Sequence, residues 1–338
     1  MNKNLHAFGL GIGTIDRSGK WLEVFFPCPI LDPSEEIRRV FSGFENQQII
    51  SKTRLGSLTE ELRELNLHGE ADLAERVATS SKPVVAVCLS ENSPPRSVPE
   101  AYLKLHLLSH RLVRPHGTDL SGLFGILRNV VWTNDGALDP EELDEHLFKA
   151  RIANKTLTVY SVDKFPQMCD YVVPSGVRIA NSARVRLGAY LGEGTTIMHE
   201  GFVNFNAGTE GTGMIEGRIS AGVTVGSGSD LGGSCSTMGT LSGGGEEVIS
   251  VGKQCLIGAN AGTGIPLGDR CTIEAGLYVT AGTRVTLIDS NGESDETVKA
   301  KSLSYVSDLL FRRNSVTGAV ECLINRNEIE LNTELHDN

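Results

Sequence analysis

Between Ile179 and Val285 the chain places an aliphatic residue at every sixth position over long stretches. The positions that share this spacing are Ile179, Val185, Leu191, Ile197 and Val203, then Ile219, Val225 and Leu231, and later Val251, Ile257, Leu267, Ile273, Val279 and Val285. Glycine follows many of them, and glycine lets a chain turn a tight corner. Six is neither the helical period nor a heptad, but it is the period of hexapeptide repeats. The sequence therefore predicts a parallel β-helix over residues 176–290.

The repeat is irregular at several points. Thr209 stands where an aliphatic residue is expected, the spacing falls to four between Ile215 and Ile219, and a glycine-rich stretch interrupts the count over residues 238–250. Ordinary short strands are the competing interpretation, but strands follow a period of two and would not keep one phase over five hexads. Because loops that leave a solenoid often carry binding, the interruption is a candidate functional segment.

The length of 338 residues allows more than one domain. We predict an N-terminal α/β domain over residues 1–115, a connector over 116–175, the β-helix over 176–290 and a C-terminal segment over 291–338. Strands are expected over 7–15, 21–26, 84–89, 157–162 and 319–324. Helical segments are expected over 57–77, with a break near Asn66, over 97–113 and over 138–150, and another helix begins near residue 34. Residues 289–300 are polar and are expected to form an exposed loop.

The charge and the cysteines limit the classes of partner and compartment. A net charge of −11 disfavours a nucleic-acid-binding protein, since such proteins neutralise phosphates with basic residues. The seven cysteines form no CxxC pair and are odd in number, which is typical of reduced thiols in a cytoplasmic protein. The sequence shows no secretory signal and no apolar run of membrane-spanning length. We therefore expect a cytoplasmic protein that binds neither nucleic acid nor membrane.

Two residues of the repeats could carry proton transfer. Hexapeptide coils serve as acyltransferases, as zinc carbonic anhydrases or as scaffolds, and the zinc enzymes need three histidines where only His199 lies within these repeats. His199 could act as a general base or be a structural or interface residue. Glu216, flanked by glycines nearby, could accept a proton from an attacking amine or attack a thioester itself. Its alternative is a solvated corner glutamate.

Two further stretches suit an acyl-CoA ligand. Leu231–Gly239 offers small residues and accessible backbone N–H groups for a thioester carbonyl and a pantetheine arm. Cys235 within it lacks a neighbouring base, so we interpret it as a small buried residue. The pair Arg312 and Arg313 could hold CoA phosphates by charge-assisted bonds. The pair could equally be solvated beside an apolar anchor.

Residues 198–220, 228–245, 273–285 and 309–321 resemble the longer form of the tetrahydrodipicolinate N-succinyltransferase family, within the hexapeptide-repeat acyltransferases. The resemblance implies a left-handed β-helix and a homotrimer. It also implies transfer of succinyl from succinyl-CoA to a small-molecule amine acceptor, ring-opened L-2-amino-6-oxopimelate, in lysine and diaminopimelate biosynthesis. The alternatives are another hexapeptide N-acyltransferase, such as an amino-sugar acetyltransferase, and a non-catalytic β-helical scaffold.

The resemblance also implies roles for particular residues. Glu216 matches the catalytic glutamate, and Gly239 matches a glycine whose backbone faces the reacting centre. Positions that match contacts to succinyl-CoA or substrate are Arg218, Gly233, Ser236, Ala259, Glu274, Ala275, Gly282, Lys299, Arg312, Arg313, Asn314 and Ser315. Glu200 matches a ligand of a divalent metal, such as Mg²⁺, which some members hold near the trimer axis. The upstream partner position is Ala183 here, which cannot bind a metal.

Overall fold

The computed structural model describes residues 5–44, 46–239, 247–289 and 291–324. Within these residues the chain divides into two compact units. The first contains the residues up to Val113, Gly117–Pro166 and Asp170–Val172, and the second contains Arg114–His116, Gln167–Cys169 and the residues from Val173 onward. Most of the expected connector thus groups with the N-terminal residues. No helix in the described parts of the chain is long and apolar enough to span a membrane.

The N-terminal unit packs helices against a mainly antiparallel sheet. The sheet runs in the order Trp21–Phe25, Ala7–Ile15, Val84–Leu89 and Gln47–Ile49, with Ile30–Leu31 also paired to Ala7–Ile15. The α-helices are Glu35–Val40, Lys52–Glu64, His68–Ala78, Val98–Ser109, Leu123–Ile126 and Leu143–Ile152. Phe8 and Leu10 of the central strand pack with the buried Leu55, Leu58 and Leu62. This apolar layer is the core of the unit.

The break expected near Asn66 within the helical stretch 57–77 is present in the structure. The structure has two helices there, and the first begins earlier because the Ser51 hydroxyl accepts a bond from the Arg54 N–H at 3.2 Å. The chain breaks at Asn66, whose φ of 59° is left-handed and ends the helix. The helix expected to reach Val113 ends at Ser109. Neither glycine nor proline marks the end at Ser109, so the predicted helix was four residues too long at this end.

A second, smaller sheet completes the N-terminal unit. Val130–Thr133 pairs in antiparallel fashion with both Gly136–Leu138 and Val159–Asp163. The predicted helix near residue 140 begins as a short 3₁₀ turn over Pro140–Glu142 and continues as an α-helix. Other 3₁₀ turns cover Met168–Asp170, Ser182–Arg184 and Ala300–Leu303.

The predicted β-helix is confirmed as a stack of parallel strands arranged in three faces. The first face contains Arg178–Ile179, Thr195–Ile197, Gly213–Ile215, Asp230–Leu231, Leu256–Ile257 and Thr272–Ile273. The second face contains Phe202–Val203, Arg218–Ile219, Ser236–Thr237, Gly262–Gly264 and Tyr278–Thr280. The third face contains Tyr190–Leu191, Gly208–Thr209, Thr224–Val225 and Ser250–Val251. The periodic aliphatic residues fill the interior, and most of them are fully buried.

The irregular spacings keep this interior stack in register. Ile197 pairs with Ile215 one coil later, after three full hexads. The four-residue spacing between Ile215 and Ile219 makes one side of that coil two residues shorter. Ile215 therefore pairs with Leu231 after sixteen residues, and the stack of aliphatic side chains continues unbroken. The interruption after residue 237 likewise leaves the ladder aligned, because Val225 still pairs with Val251. Its residues 240–246 lie outside the described residues.

Thr209 fills an aliphatic position without leaving a polar group unpaired. It is only 2% exposed, and its hydroxyl lies 2.7 Å from the Thr195 hydroxyl. Thr195 in turn donates to the Gly211 carbonyl at 2.9 Å. A buried hydroxyl is tolerated when it is hydrogen-bonded, so this pair replaces one apolar contact with a satisfied polar one.

The loop expected over residues 289–300 is wrong. Ser294–Lys299 is a strand that pairs in antiparallel fashion with Arg284–Ile288. Leu309–Arg313 then extends the first face, because Phe311 pairs with Ile273 and is fully buried in the stack. Val320–Ile324 closes the sheet against Leu309–Arg313. The strand Ser294–Lys299 was not predicted because its sequence is mostly polar, and its described side chains are mostly exposed.

Candidate active site

An open groove of about 580 Å³ lies where the first face of the β-helix turns into the second. We call this edge the first corner. The groove is lined by Asn181, Arg184, His199, Glu200, Glu216, Gly217, Arg218, Ser234, Cys235 and Ser236. These residues come from four successive coils. They meet because each coil repeats the same turn directly above the last.

Glu216 sits in the middle of the groove, directly after the buried Ile215. Its backbone N–H donates to the Leu231 carbonyl at 2.8 Å, which fixes the residue to the next coil. Its side chain is half-buried and lies over Gly233. A Cβ added at Gly233 would stand 3.4 Å from Glu216 Oε2, so the glycine leaves the carboxylate room to face the groove.

The floor of the groove beside Glu216 is closely packed. A Cβ added at Gly217 would stand 2.3 Å from Cys235 Sγ, so only glycine fits there. Cys235 is 1% exposed, which confirms that it is a small buried residue. Burial raises the pKa of its thiol to about 12, and the negative charge of Glu216 adds to the rise. The thiol therefore stays protonated at neutral pH and is not a nucleophile.

Arg218 presents an exposed guanidinium to the groove. Its Nη2 and Nε atoms donate to the Ser236 hydroxyl at 2.8 Å and 3.2 Å. The two residues are neighbours in the ladder of the second face. This bond orients the arginine, while its charge remains available to an anionic ligand. The structure thus brings Glu216, Arg218 and Ser236 together along one groove.

Glu200 and His199 are exposed and line the same groove. Glu200 Oε2 accepts a bond from the Ser234 hydroxyl at 3.2 Å. Nowhere in the described residues do three or more His, Cys, Asp or Glu side chains gather in a way that could hold a metal ion. The described part of one chain therefore offers no such ligand cluster, and magnesium at Glu200 stays a prediction.

Several other predicted residues continue along the first corner. Gly232 packs against the backbone of Ala259 in the next coil, and Gly258 packs against Ala275 in the coil after that. Small residues thus form a narrow strip beyond the groove. Glu274 is exposed, and its Oε2 accepts the Arg313 backbone N–H at 2.7 Å. Glu274 therefore fixes the C-terminal strand to the corner.

Arg312 already has a partner within the chain. Its Nη2 lies 2.9 Å from the Glu321 carboxylate, and Asn314 donates to the other Glu321 oxygen at 2.7 Å. Glu321 is 7% exposed. Arg313 is exposed, and its Nη1 donates to the Gly318 carbonyl at 3.0 Å. Any bound phosphate would have to compete with Glu321 for Arg312, but not for Arg313.

Four of the predicted residues, Glu200, Glu216, Arg218 and Ser236, line the groove, and the others do not, among them Gly239, Gly282, Lys299 and Ser315. Gly239 is buried and directly precedes residues 240–246, which are not described. Gly282 is exposed on the turn that follows Tyr278–Thr280, and Lys299 ends the hairpin strand opposite Arg284. Their roles at the reacting centre and toward CoA stay predictions.

Two lining residues, Asn181 and Arg184, were missed by sequence reasoning. They belong to the first coil, before the stretches on which the resemblance depends. A signal for Arg184 exists in the hexad spacing between Val185 and Val203. The residues that precede these two valines lie next to each other on the outer surface of neighbouring coils. The basic residue before Val185 could therefore have been placed beside Phe202 from the sequence.

Comparisons with known proteins agree on one family. Residues 127–167 match the family described as tetrahydrodipicolinate N-succinyltransferase middle, and residues 248–281 match the hexapeptide repeat of succinyl-transferase. Relatives named 2,3,4,5-tetrahydropyridine-2,6-dicarboxylate N-succinyltransferase include one from Pseudomonas putida, 60% identical over 99% of both chains. Another, from Vibrio cholerae, is 55% identical over 98% of both chains.

A solved structure is similar over nearly the same extent. It is described as a putative 2,3,4,5-tetrahydropyridine-2-carboxylate N-succinyltransferase from Campylobacter jejuni. The TM-score is 0.89 at 34% identity, and the match covers 97% of this chain and 94% of the other. The similarity thus includes both the N-terminal unit and the β-helix.

Proposed function

Because the chain belongs to the 2,3,4,5-tetrahydropyridine-2,6-dicarboxylate N-succinyltransferase family, we propose that the groove at the first corner is its catalytic site. The enzyme transfers the succinyl group of succinyl-CoA to the amine of L-2-amino-6-oxopimelate, the ring-opened form of tetrahydrodipicolinate. The product is N-succinyl-L-2-amino-6-oxopimelate, and the reaction belongs to lysine and diaminopimelate biosynthesis.

The position of Glu216 carries the proposal. It is the half-buried carboxylate at the centre of a groove that also holds Arg218 and Ser236. An amine that attacks a thioester must lose a proton, and Glu216 is placed to accept it. The amine nitrogen then bonds to the succinyl carbonyl carbon, and CoA leaves as its thiol. A direct attack of Glu216 on the thioester, which would form an acyl anhydride, is the alternative chemistry.

Charge in the groove supports the same reaction. The acceptor carries two carboxylates, and the exposed guanidinium of Arg218 offers one of them a charge-assisted bond. The tetrahedral intermediate carries a negative oxygen that backbone N–H groups stabilise best when they are already in place. We assign this task to the stretch from Gly233 to Gly239, with Gly239 as the donor, in keeping with the sequence resemblance.

The strip of small residues gives CoA a path. From Glu216 the first corner passes Gly233, Ala259 and Ala275 before it reaches Arg313. Four strand steps of about 4.8 Å separate the two ends, or about 19 Å. An extended pantetheine arm can follow this strip, with the thioester at Glu216. The phosphates then lie near residues 312–315, where Arg313 is exposed.

We propose a left-handed homotrimer as the complete enzyme. The groove of one chain is open on its outer side, and a neighbouring chain related by a three-fold axis would supply the second wall. Any Mg²⁺ would need one Glu200 from each chain, since a single chain lacks three ligands among its described residues. No step of the reaction above depends on that metal.

A thiol-release assay tests the function. The enzyme is mixed with succinyl-CoA or acetyl-CoA, each with and without the acceptor. Sustained thiol release only with succinyl-CoA and acceptor together supports the proposal. A rapid release of one thiol per chain without acceptor would indicate the anhydride. Preference for acetyl-CoA, or acceptance of an amino sugar instead, would contradict the proposed function.

A further inference from the structure

Arg184 and Arg218 stand in one outward-facing column of the second face. Val185 bridges Val203 in parallel, which places Arg184 beside Phe202. Phe202 in turn pairs with Arg218. The column therefore runs Arg184, Phe202, Arg218, with one residue from each coil. Because neighbouring strands lie about 4.8 Å apart, the two arginine backbones are separated by about 9.6 Å.

The Arg184 side chain is held in place although it is exposed. Its Nη2 donates to the Glu200 carbonyl at 2.8 Å and its Nε donates to the Gly201 carbonyl at 3.4 Å. The guanidinium carbon lies 5.7 Å from the centre of the Phe202 ring. All these partners are neutral, and no carboxylate of the described residues forms an ion pair with Arg184. The groove therefore contains a second oriented cation without a counter-ion.

We propose that Arg184 binds the distal carboxylate of the amine acceptor and so selects acceptors with a carboxylate at both ends. The inference rests on the proposed function, which supplies a dicarboxylate as the acceptor. With the amine at Glu216, the nearer carboxylate meets Arg218, which lies in the same coil. The carbon chain then runs back over Phe202, whose ring is half-buried and offers the methylene groups an apolar surface.

The geometry matches this ligand better than a neutral amine. Two fixed cations about 9.6 Å apart at their backbones suit an extended chain with a carboxylate at each end. A guanidinium presents paired N–H donors that fit a carboxylate, and such bonds are stronger than those between neutral groups. A neutral sugar would leave both cations unmatched. Arg184 is thus assigned as a specificity residue.

The competing role for Arg184 is structural. Its bonds to two carbonyls of the following coil tie the corner together, and their loss alone would lower stability. If Arg184 served only to hold the corner through these hydrogen bonds, their loss would slow the reaction of every acceptor by the same factor. A test must therefore vary the acceptor as well as the residue.

The experiment compares two amines that differ only at the far end. L-2-aminopimelate has the distal carboxylate, and L-2-aminoheptanoate has a methyl group in its place. The wild-type enzyme should favour aminopimelate in kcat/KM by about 10- to 100-fold, as expected for a charge-assisted bond. Arg184→Met should remove this preference by lowering kcat/KM for aminopimelate alone. The KM for succinyl-CoA should stay unchanged.

Arg186 provides a matched control. Its guanidinium also lies over Phe202, at 5.8 Å, and donates to Asn204, but it does not line the groove. Arg186→Met should therefore keep the preference for aminopimelate. If Arg184→Met fails to fold, Arg184→Lys serves instead and should weaken the preference without abolishing it.

Two results would overturn the inference. One is a wild-type enzyme that treats the two amines alike, and the other is an Arg184 variant that slows both amines equally. Failure of the proposed function itself is distinguishable, because the wild-type enzyme would then transfer succinyl to neither amine while remaining folded.

Discussion

Arg312 and Glu321 face each other across an antiparallel strand pair, with 2.9 Å between the guanidinium and the carboxylate. The adjacent Arg313 forms no such ion pair with any of the described residues, and its Nη1 donates to the Gly318 carbonyl. The two arginines, which look equivalent in sequence, therefore have different partners. We expect their roles to separate in the same way.

Replacing Arg313 with Ala should raise the KM for succinyl-CoA and change kcat less, because phosphate contacts act mainly in ground-state binding. The increase should shrink at higher salt, since exposed charges are screened over about 10 Å at 0.1 M. Arg312→Ala should instead lower the melting temperature, with a cost of about 1 kcal/mol because the side chain is half exposed. Steady-state kinetics and thermal melts of both variants distinguish these outcomes. Equal KM effects from the two variants would contradict the division.

Acid should remove the stability that the Arg312–Glu321 pair provides. The Asn314 hydrogen bond, and then Arg312, lower the pKa of Glu321 below its ordinary value. A lowered pKa means that the stabilisation is complete above the unfolded glutamate pKa of about 4.3 and is lost as pH falls through the folded pKa. The difference in melting temperature between wild type and Arg312→Ala should thus persist at neutral pH and vanish in strong acid. A difference that grows on acidification would show that another group dominates.

Glu216→Gln should keep the fold and lose most turnover. The amide preserves the size of the side chain but cannot accept a proton, and positioned proton transfer contributes about 10²–10⁴-fold. The measurement is kcat with succinyl-CoA and acceptor, beside a thermal melt that should match wild type. His199→Asn is the comparison from the same groove and should cost less. Retention of more than about a third of wild-type turnover would exclude the role given to Glu216.

The active enzyme should be a homotrimer, with a solution mass close to three chains of 36.3 kDa. Cyclic closure would complete the open groove of each chain with a neighbouring wall. Light scattering at assay concentrations, alongside activity on the same sample, is the measurement. A fully active monomer would refute both the assembly and the shared groove.

The sequence predicted the β-helix because one buried aliphatic residue per hexad is a strong and local signal. Glu216 and Arg218 could be placed for the same reason, since Glu216 directly follows the core residue Ile215 and Arg218 directly precedes the core residue Ile219. The Arg312–Glu321 pair could not be predicted from the repeat. Its two residues meet because the strands Leu309–Arg313 and Val320–Ile324, which follow the repeats, pair with each other. The strand Ser294–Lys299 was missed because it is polar along most of its length. A strand of an exposed hairpin does not need alternating apolar residues, so the sequence carries no strand pattern there.

Gly217 should be the least replaceable residue of the groove floor. A methyl group at Gly217 would meet Cys235 Sγ at 2.3 Å and the Cys235 carbonyl at 2.7 Å, so the corner would have to shift. We expect Gly217→Ala to cost about 1–3 kcal/mol of stability, the usual range for overpacking, and to displace Glu216 enough to reduce kcat. Gly282→Ala is the control for stability, because its added methyl group meets nothing within 4 Å. In the double variant Gly217→Ala/Cys235→Ala the sulfur is gone but the Cys235 backbone carbonyl remains, so only part of the lost stability should return. Full stability in the single variant would mean that the corner yields without cost and that the close packing beneath Glu216 does not fix its position.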